Sequence, residues 1–311
     1  MIRRTKSLRL MRSRDLEWHE HDLPPLDDHG VLIKTMACAV SIGSEIPMYR
    51  GDSLATRSTV YPRQMGYESY GEVMDIGRGV TRIQIGDPVV AFYGQQTYAV
   101  CPETQVISVP RNIKPSTALL TILSCDAAKG VLKLRPKASD RVLVSGLGTM
   151  GLLTVYFLRE YLNVRHVDAM EPDRERSAMG ISFGVNVCFC DERSIPSVYD
   201  VGFECSARNA AFHVLQASLE PHGRLCVLSD GNVEEFSLHS AFFEKELGIV
   251  GSSDGWDYQE HAKWFFEHVP STPYISDLFQ LEIEPSALIG CYQELAAGRI
   301  RPIKILVNYQ G

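Results

Sequence analysis

The sequence predicts an α/β fold with a doubly wound parallel sheet and a second, β-rich unit resembling a barrel. Three observations lead to this prediction. Short strand patterns broken by glycine and proline fill the chain from Leu8 to Val109. From Ser116 onward strand and helix patterns alternate, as the crossovers of a parallel sheet require. A glycine-rich stretch at residues 141–160, "RVLVSGLGTMGLLTVYFLRE", joins a strand pattern to a helix pattern.

The strands of the β-rich unit are expected at "LRLM", "GVLIKTMACAV", "YGEVMDIG", "GDPVVAF", "QTYAVCP" and "TQVISVP". The first lies in the basic segment "MIRRTKSLRLMRSR", which lacks the cleavage signature of a secretory signal. We interpret this segment as a solvated strand edge, with a targeting or anion-binding role as the alternative. His19, His21 and His29 are expected as exposed turn residues in the polar segment that follows.

The parallel sheet is expected to contain the strands "RVLVSG", "RHVDAME", "NVCFCD", "DVGFECS", "RLCVLSD" and "LGIVGSS". The segments "LLTVYFLREYL", "RERSAMGISFG" and "NAAFHVLQASLE" are expected to form the covering helices. A mixed pattern resumes after Trp256 and ends in "RPIKILVNY".

A membrane span is the alternative interpretation of the glycine-rich stretch, because residues 142–158 carry no charge. That length is at the lower limit for crossing roughly 30 Å of hydrocarbon, and three glycines occupy its middle. We therefore predict a buried strand, a glycine turn and a helix, and no association with a membrane.

Composition narrows the class of protein. A chain of 311 residues with 45% hydrophobic and 22% charged residues is typical of a soluble globular protein with two domains. The net charge is −7 and the charges are spread along the chain without a clustered basic surface, which argues against nucleic acid as a partner. None of the eight cysteines forms a CxxC pair and most lie in apolar runs, which predicts a reducing, cytoplasmic location.

The glycine-rich stretch has the spacing of a dinucleotide-binding fingerprint. Gly146 would permit the tight turn, Gly148 the approach of a pyrophosphate, and Gly151 close packing of helix on sheet. Thr149 and Met150 lie within this turn, at the start of a helix whose free N–H groups suit phosphates. An ordinary structural turn is the alternative for these glycines.

An acidic residue follows at the separation of about 20 residues that the fingerprint requires. Glu171 ends the next strand pattern, where its carboxylate would accept hydrogen bonds from ribose hydroxyls and repel a 2′-phosphate. NAD is therefore the predicted cofactor. NADP is the alternative, because Arg176 and its neighbour Arg174 lie close by and could bind a 2′-phosphate. The two arginines could instead simply begin a solvated helix. Cys205 and Ser206, which follow the strand pattern "DVGFE", complete the predicted cofactor-binding residues.

The chain resembles the medium-chain dehydrogenase/reductase superfamily over nearly its whole length. The matching stretches are "SIGSEIPMYRG", "MGYESYGEVMDIGRGVTRIQIGDPVVAF", "VLVSGLGTMGLL", "YDVGFECSA", "HGRLCVLSD" and "RPIKILV". The resemblance implies a Rossmann domain at residues 125–255 inserted in a GroES-like catalytic domain at residues 1–124 and 256–311. It also implies an active cleft between the two domains, and a homodimer formed by pairing of sheet edges.

The chain departs from the zinc-dependent members of that superfamily. Ile42 stands where the resemblance implies a cysteine ligand, and Tyr67 stands where it implies a histidine. A third ligand would fall near Ile122 or Cys125. A carbon side chain offers no lone pair to Zn²⁺, and a phenol is a poor substitute for imidazole. The structural zinc lobe is missing too, so no bound metal is predicted.

Without a metal, protein side chains must serve the substrate oxygen. By resemblance Ser44 is the hydroxyl that contacts this oxygen, and we expect Tyr67 to exchange the proton through a lowered pKa. Glu68 and Glu45 would orient these two side chains or relay the proton. The alternatives are a helix cap for Ser44, a packed aromatic for Tyr67 and, for Glu68, a buried carboxylate paired with an arginine.

Asp126 and Lys129 are expected to begin the first helix on the Rossmann side. By resemblance that helix faces the nicotinamide, so Lys129 could polarise a carbonyl. A helix N-cap for Asp126 and a solvated helix position for Lys129 are the alternatives.

Three functions are compatible with these residues. The favoured one is a zinc-independent, NAD(H)-linked oxidoreductase that interconverts a secondary alcohol and a carbonyl. "SIGSE" and "GYES" loosely resemble the bacteriochlorophyllide hydroxyethyl dehydrogenase branch, without implying its pigment substrate. The alternatives are an NADPH-dependent quinone or enoyl reductase, and a protein that binds dinucleotide without turnover.

Overall fold

The computed structural model describes residues 4–52, 54, 60–230 and 232–310. These residues form two compact units, one made of Met1–Thr121 with Tyr258–Gly311 and the other of Ile122–Asp257. The first is rich in antiparallel strands and the second is an α/β unit with a parallel sheet, so the predicted fold class is confirmed. The assignment of a catalytic role to the first unit and of cofactor binding to the second remains a prediction.

The first unit contains two sheets. In the smaller, β1 (Arg4–Arg12) lies between β2 (Asp15–Asp22) and β4 (Arg63–Gln64). The larger follows the order β15-β16-β3-β5-β6-β8, and β7 also pairs with β3. Its strands are β3 (Gly30–Val40), β5 (Ser69–Ile76), β6 (Pro88–Ala91), β7 (Tyr98–Pro102), β8 (Ile107–Ser108), β15 (Phe279–Ile283) and β16 (Lys304–Asn308). The helices are α1 (Ile42–Arg50), α2 (Pro115–Leu119), α8 (Tyr258–His268) and α9 (Leu288–Ala296).

Alternating apolar residues build the core of the larger sheet. Val31, Ile33, Val73 and Val89 have no exposed surface and pack in one cluster. This is the pattern expected of strands that bury one face. The longest strand, β3, joins both halves of the sheet because it pairs with β5, β7 and β16.

The second unit is a parallel sheet in the order β11-β10-β9-β12-β13-β14. Its strands are β9 (Arg141–Ser145), β10 (His166–Met170), β11 (Cys188–Phe189), β12 (Tyr199–Glu204), β13 (Leu219–Val227) and β14 (Gly248–Gly251). The helices are α3 (Thr121–Leu134), α4 (Thr149–Glu160), α5 (Arg174–Ser182), α6 (Asn209–Ser218) and α7 (Ala241–Glu244). The strand order reverses beside β9, and ligands of such sheets bind at the carboxyl ends of the strands there.

Residues 141–160 form a strand, a glycine turn and a helix, as the sequence predicts. Within the described ranges, none of the helices combines the length and the apolar character needed to cross a membrane.

The first hairpin was only partly predicted. His19 and His21 were expected in a connecting segment, but they lie in β2, where they pair with Ser7 and Thr5 of β1. The strand "DLEWHEHD" was missed because most of its side chains are polar and it buries only Leu16. His29 does lie in a turn before β3.

Candidate active site

The predicted catalytic residues of the first unit come together where three neighbouring strands meet the start of α1. Ser44 lies in the first turn of α1, which follows β3 directly, and Tyr67 and Glu68 lie immediately before β5. Lys304, which was not predicted, is the first residue of β16. Because β3 pairs with both β5 and β16, these side chains reach one region.

A buried ion pair lies at the centre of this region. Lys304 Nζ is 2.7 Å from Glu68 Oε1, and the two side chains are 0% and 1% exposed. The Ser41 hydroxyl donates to the same carboxylate oxygen, and Lys304 Nζ lies 3.4 Å from Ser41 Oγ. Glu68 Oε2 is buried and has no hydrogen-bond partner in the part of the chain that the structure describes. The alternative expected for Glu68 was a buried carboxylate paired with an arginine. Glu68 is indeed buried and paired, but its partner is a lysine.

Ser44 and Tyr67 form a pair beside the ion pair. Ser44 Oγ lies 3.2 Å from Tyr67 Oη and 3.4 Å from the carbonyl oxygen of Ser41. Ser44 is not the helix cap, since α1 begins at Ile42 and Ser41 precedes it. The two hydroxyls are partly buried, so they form the least enclosed part of the cluster.

The expected lowering of the Tyr67 pKa was wrong. Burial raises the pKa of this phenol well above its ordinary value, and the Glu68 carboxylate raises it further. Hydrogen bonds with Ser41 and Ser44 lower it by less. Tyr67 therefore carries its proton at neutral pH, because a buried phenolate beside a carboxylate is unfavourable.

A second carboxyl group extends the cluster away from Tyr67. Glu45 Oε1 accepts the backbone N–H of Ser41 at 2.7 Å, and Oε2 accepts the hydroxyl of Tyr292, on α9. Burial, with a smaller contribution from Glu68, raises the pKa of Glu45 to about 7. One ammonium thus faces two buried carboxyl groups, so a buried proton on Glu45 balances the charge.

Lys304, Ser41 and Tyr292 were missed by the sequence analysis. Lys304 carried a signal, since a lysine inside the apolar run "IKILV" is buried only when it has a partner. Ser41 and Tyr292 have no comparable signal, because serine and tyrosine occur in many unrelated settings.

The glycine turn of the second unit has the features of a dinucleotide site. Gly146 has a φ of +84°, and a Cβ there would lie 2.8 Å from Ser206 Cα. A Cβ on Gly151 would lie 1.8 Å from the Gly146 carbonyl oxygen, so neither position admits a side chain. At Gly148, directly before α4, a Cβ would meet nothing within 4 Å. The backbone is thus tightly packed at Gly146 and Gly151 and has free space beside Gly148. That free space would let a diphosphate approach the backbone of Gly148, Thr149 and Met150.

Two buried carboxylates hold this turn in place. Glu171 Oε2 accepts the Leu147 N–H at 2.8 Å and Oε1 accepts the Asp173 N–H at 3.0 Å. Each oxygen keeps a further lone pair, so the expected bonds to ribose hydroxyls remain compatible with this geometry. Glu204, at the end of β12, accepts the N–H groups of Ser206 and Ala207 at 2.7 and 3.0 Å.

The remaining predicted cofactor-binding residues lie around the same turn. Cys205 follows β12, and its Sγ lies 3.9 Å from Thr154 Oγ1; burial raises the pKa of this thiol well above its ordinary value. Arg176 lies in the first turn of α5, where its backbone N–H bonds the Asp173 carboxylate at 3.1 Å. Arg174 is exposed.

The positions of Asp126 and Lys129 differ from the prediction. The helix α3 begins at Thr121, so both residues lie in its interior and Asp126 is not an N-cap. The buried residues Ile122 and Leu123 extend the helix toward its N-terminus. Lys129 Nζ donates to the Ser253 carbonyl oxygen at 2.6 Å, within the second unit.

The residues at the zinc-equivalent positions do not suit a zinc ion. Ile42 supplies no donor atom and the Tyr67 hydroxyl is engaged with Ser44. Among the described residues, no group of three His, Cys, Asp or Glu side chains is placed to hold a metal ion.

Comparisons with known proteins agree with this architecture. The alcohol dehydrogenase GroES-like domain family matches residues 27–111. L-threonine 3-dehydrogenase of Legionella pneumophila is 25% identical over 248 residues, which are 66% of this chain and 72% of that protein. The chain is thus similar to alcohol dehydrogenases and threonine dehydrogenases, as the resemblance to the medium-chain dehydrogenase/reductase superfamily implies.

Solved structures of dehydrogenases share the fold. The 2R,3R-butanediol dehydrogenase of Bacillus subtilis has a TM-score of 0.82 at 21% identity, covering 98% of this chain and 100% of that chain. An alcohol dehydrogenase of Escherichia coli CFT073, solved with NADH, has a TM-score of 0.84 at 18% identity, covering 99% of this chain and 100% of that chain. These structures confirm the predicted fold, whereas the superfamily and the branch within it stay predictions that the comparisons support.

Proposed function

We propose that this protein is a zinc-independent, NAD(H)-linked oxidoreductase of the medium-chain dehydrogenase/reductase superfamily that interconverts a secondary alcohol and a carbonyl. The observation that carries the proposal is the 3.2 Å pair of Ser44 Oγ and Tyr67 Oη, at positions that in zinc members of the superfamily serve the substrate oxygen and the metal. Two hydroxyl groups there could donate hydrogen bonds to a substrate oxygen and so stabilise the negative charge that a metal ion otherwise stabilises.

Binding of the cofactor is assigned to the glycine turn. The N–H groups that follow Gly148 would hold the diphosphate, and the Glu171 carboxylate would accept the adenosine ribose hydroxyls. That carboxylate would repel a 2′-phosphate, so NAD is preferred and NADP is the alternative. When bound, the nicotinamide supplies or accepts the hydride.

Tyr67 and Ser44 would act on the substrate oxygen. The protonated Tyr67 donates its proton to a carbonyl oxygen as the hydride arrives at carbon, and Ser44 donates a second hydrogen bond to that oxygen. Its raised pKa keeps Tyr67 protonated at neutral pH, which is the form that can donate a proton in a carbonyl reduction. Lys129 has no proposed part in this step, since its Nζ is bonded to a backbone carbonyl.

The remaining proposals concern partners and location. A small alcohol or carbonyl compound is the proposed substrate, and the cytoplasm the proposed location. A homodimer is proposed through β14, the last strand of the second unit's sheet, because an unpaired edge is available for pairing. The finer likeness to the bacteriochlorophyllide hydroxyethyl dehydrogenase branch remains a prediction from the sequence.

The test combines cofactor binding with turnover. Fluorescence titration with NADH and NADPH is followed by assays of ketones, secondary alcohols and enones in the presence of a metal chelator. We expect tighter binding of NADH, chelator-resistant ketone reduction, and a loss of about 10²-fold or more in Tyr67→Phe. The control is Tyr161→Phe, at a half-exposed tyrosine on the second unit.

Two other outcomes would replace the proposal. Turnover of enones alone would identify a C=C reductase. Binding of cofactor with no turnover of any of these compounds would identify a non-catalytic dinucleotide-binding protein.

A further inference from the structure

The strand β11 of the second unit carries two cysteines separated by one residue. Cys188 begins this strand, and Cys190 follows its last residue, Phe189. Cys188 is partly exposed and Cys190 is exposed, whereas five of the other six cysteines are buried and Cys205 is partly exposed. Cys188 and Cys190 are therefore a pair of neighbouring thiols that a dissolved oxidant can reach.

The spacing of the two cysteines places their side chains on one face of the strand. Phe189 packs against the core cluster that contains Leu143 and Tyr199, and successive side chains of a strand alternate between its faces. Cys188 and Cys190 thus lie on the opposite face from that cluster. An extended chain rises about 3.3 Å per residue, so their Cα atoms are about 6.6 Å apart, at the upper end of the range of about 4.4–6.8 Å that a disulfide spans.

The carbonyl group between the two thiols holds a residue of the dinucleotide site. The Phe189 carbonyl oxygen accepts the Glu171 N–H at 3.0 Å. The Glu171 carboxylate in turn accepts the N–H of Leu147, in the glycine turn, at 2.8 Å. A bond between the two thiols would therefore bend a peptide that is hydrogen bonded directly to the residue proposed to bind the adenosine ribose.

We propose that Cys188 and Cys190 form a disulfide in an oxidising environment, and that this bond draws the Phe189 carbonyl group away from Glu171 and so weakens cofactor binding. The effect on the cofactor rests on the proposed function, whereas the bond itself does not. A disulfide requires Cβ atoms about 3.5–4.5 Å apart, so the backbone at Cys190 has to move toward Cys188. This segment can move because β11 is an edge of the sheet, where it pairs only with β10 among the residues that the structure describes, and because the chain bends at Cys190.

The oxidant in this proposal is a small disulfide such as oxidised glutathione. The Cys190 thiolate attacks one glutathione sulfur, which forms a mixed disulfide and releases one glutathione. Cys188 then loses its proton, and its sulfur attacks Cys190 Sγ and displaces the second glutathione. The two thiols lose two electrons and two protons, which leave as the two molecules of reduced glutathione. Burial raises the pKa of the Cys188 thiol, so the exposed Cys190 is the sulfur that reacts first.

The experiment incubates the protein in glutathione buffers of increasing oxidised fraction. Peptide mapping by mass spectrometry should find a bond between Cys188 and Cys190, and NADH affinity from fluorescence titration should fall at least about tenfold and recover on reduction. Cys190→Ser cannot form the bond and should keep the affinity of the reduced protein in every buffer. Cys188→Ser should accumulate the mixed disulfide on Cys190, and its NADH affinity should change far less than that of wild type.

Hydrogen–deuterium exchange gives a second measurement that needs no cofactor. The Glu171 N–H should exchange faster in the oxidised than in the reduced wild-type protein, and at one rate in both states of Cys190→Ser. The inference would be overturned by glutathione attached to Cys190 without closure of the bond, by no reaction of either thiol, or by a bond that changes neither the exchange at Glu171 nor the NADH affinity. A reduced wild-type protein that binds no NADH would overturn the proposed function and the expected loss of affinity, while peptide mapping and exchange would still decide whether the bond forms and moves Phe189.

Discussion

Lys304 and Glu68 form an ion pair 2.7 Å long whose side chains are essentially inaccessible to solvent. Such a pair adds little stability over apolar residues of the same size, because both charges lose their hydration. Removing one partner is different, since the other charge is then left buried without compensation. The stability of the start of β16 and that of the residues before β5 therefore depend on the same ion pair.

Lys304→Met is expected to lower the free energy of unfolding by about 3–5 kcal/mol. The reason is the uncompensated Glu68 carboxylate, and denaturant unfolding followed by circular dichroism measures the loss. The matched control is Arg299→Met, which breaks the exposed pair with Glu294 at 2.6 Å and should change the free energy of unfolding far less, because solvent screens that pair. Adding Glu68→Gln to Lys304→Met should recover part of the stability. If both substitutions lowered the free energy of unfolding equally, Glu68 would not be a buried charge that needs Lys304.

Glu45 should make stability depend on pH. Its pKa is raised from 4.5 to about 7, so the folded protein holds a proton that the unfolded chain releases between these values. This contribution is fully present below pH 4.5 and is lost as pH rises through about 7.

The check for Glu45 is the difference between wild type and Glu45→Gln. The free energy of unfolding of wild type relative to the variant should fall by about 3 kcal/mol from pH 4.5 to pH 8, at about 1.4 kcal/mol per pKa unit. A constant difference across this range would show that Glu45 is ionised in the folded protein.

Two alanine substitutions in the glycine turn should behave differently. Gly151→Ala places a methyl group 1.8 Å from the Gly146 carbonyl oxygen, so the turn must move, and both thermal stability and NADH binding should fall. Gly148→Ala meets nothing within 4 Å, so the fold should persist while NADH affinity drops at least about tenfold, because the methyl group occupies the approach of the diphosphate.

The control for this pair is Gly290→Ala in α9, which also meets nothing within 4 Å and lies in the other unit. Thermal unfolding and NADH fluorescence are measured for all three variants. A Gly148→Ala protein that binds NADH as tightly as the Gly290→Ala protein would place the cofactor elsewhere.

Glu171→Gln should change the preference between cofactors. The amide keeps the size of the side chain and removes the charge that repels a 2′-phosphate. It also gives up one of the two backbone hydrogen bonds that Glu171 accepts, so both cofactors should bind less tightly. The ratio of NADPH to NADH affinity should nevertheless rise by about tenfold, or about 1.4 kcal/mol. Paired fluorescence titrations give the ratio. Glu175→Gln, which removes an exposed charge from the same helix region, is the control and should leave the ratio unchanged.

The local architecture of the second unit could be predicted because its signals lie close together in the chain. The strand 141–145, the glycines and α4 occupy one continuous segment, and each glycine has a local reason: a positive φ at Gly146 and a close contact between neighbouring turns at Gly151. Periodicity and turn chemistry are properties of such segments, so the sequence was sufficient for the fold class and for the dinucleotide fingerprint.

The chemistry of the first unit could not be predicted in the same way. Lys304 and Glu68 are separated by 236 positions, and Tyr292 and Glu45 by 247, so their contacts exist only because β16 and α9 return to the start of the chain. Burial then reverses the expected behaviour of Tyr67, whose pKa rises where position alone suggested a fall. Residue identity showed which groups were present, but their charge states depend on desolvation and on neighbours that the chain supplies from its far end.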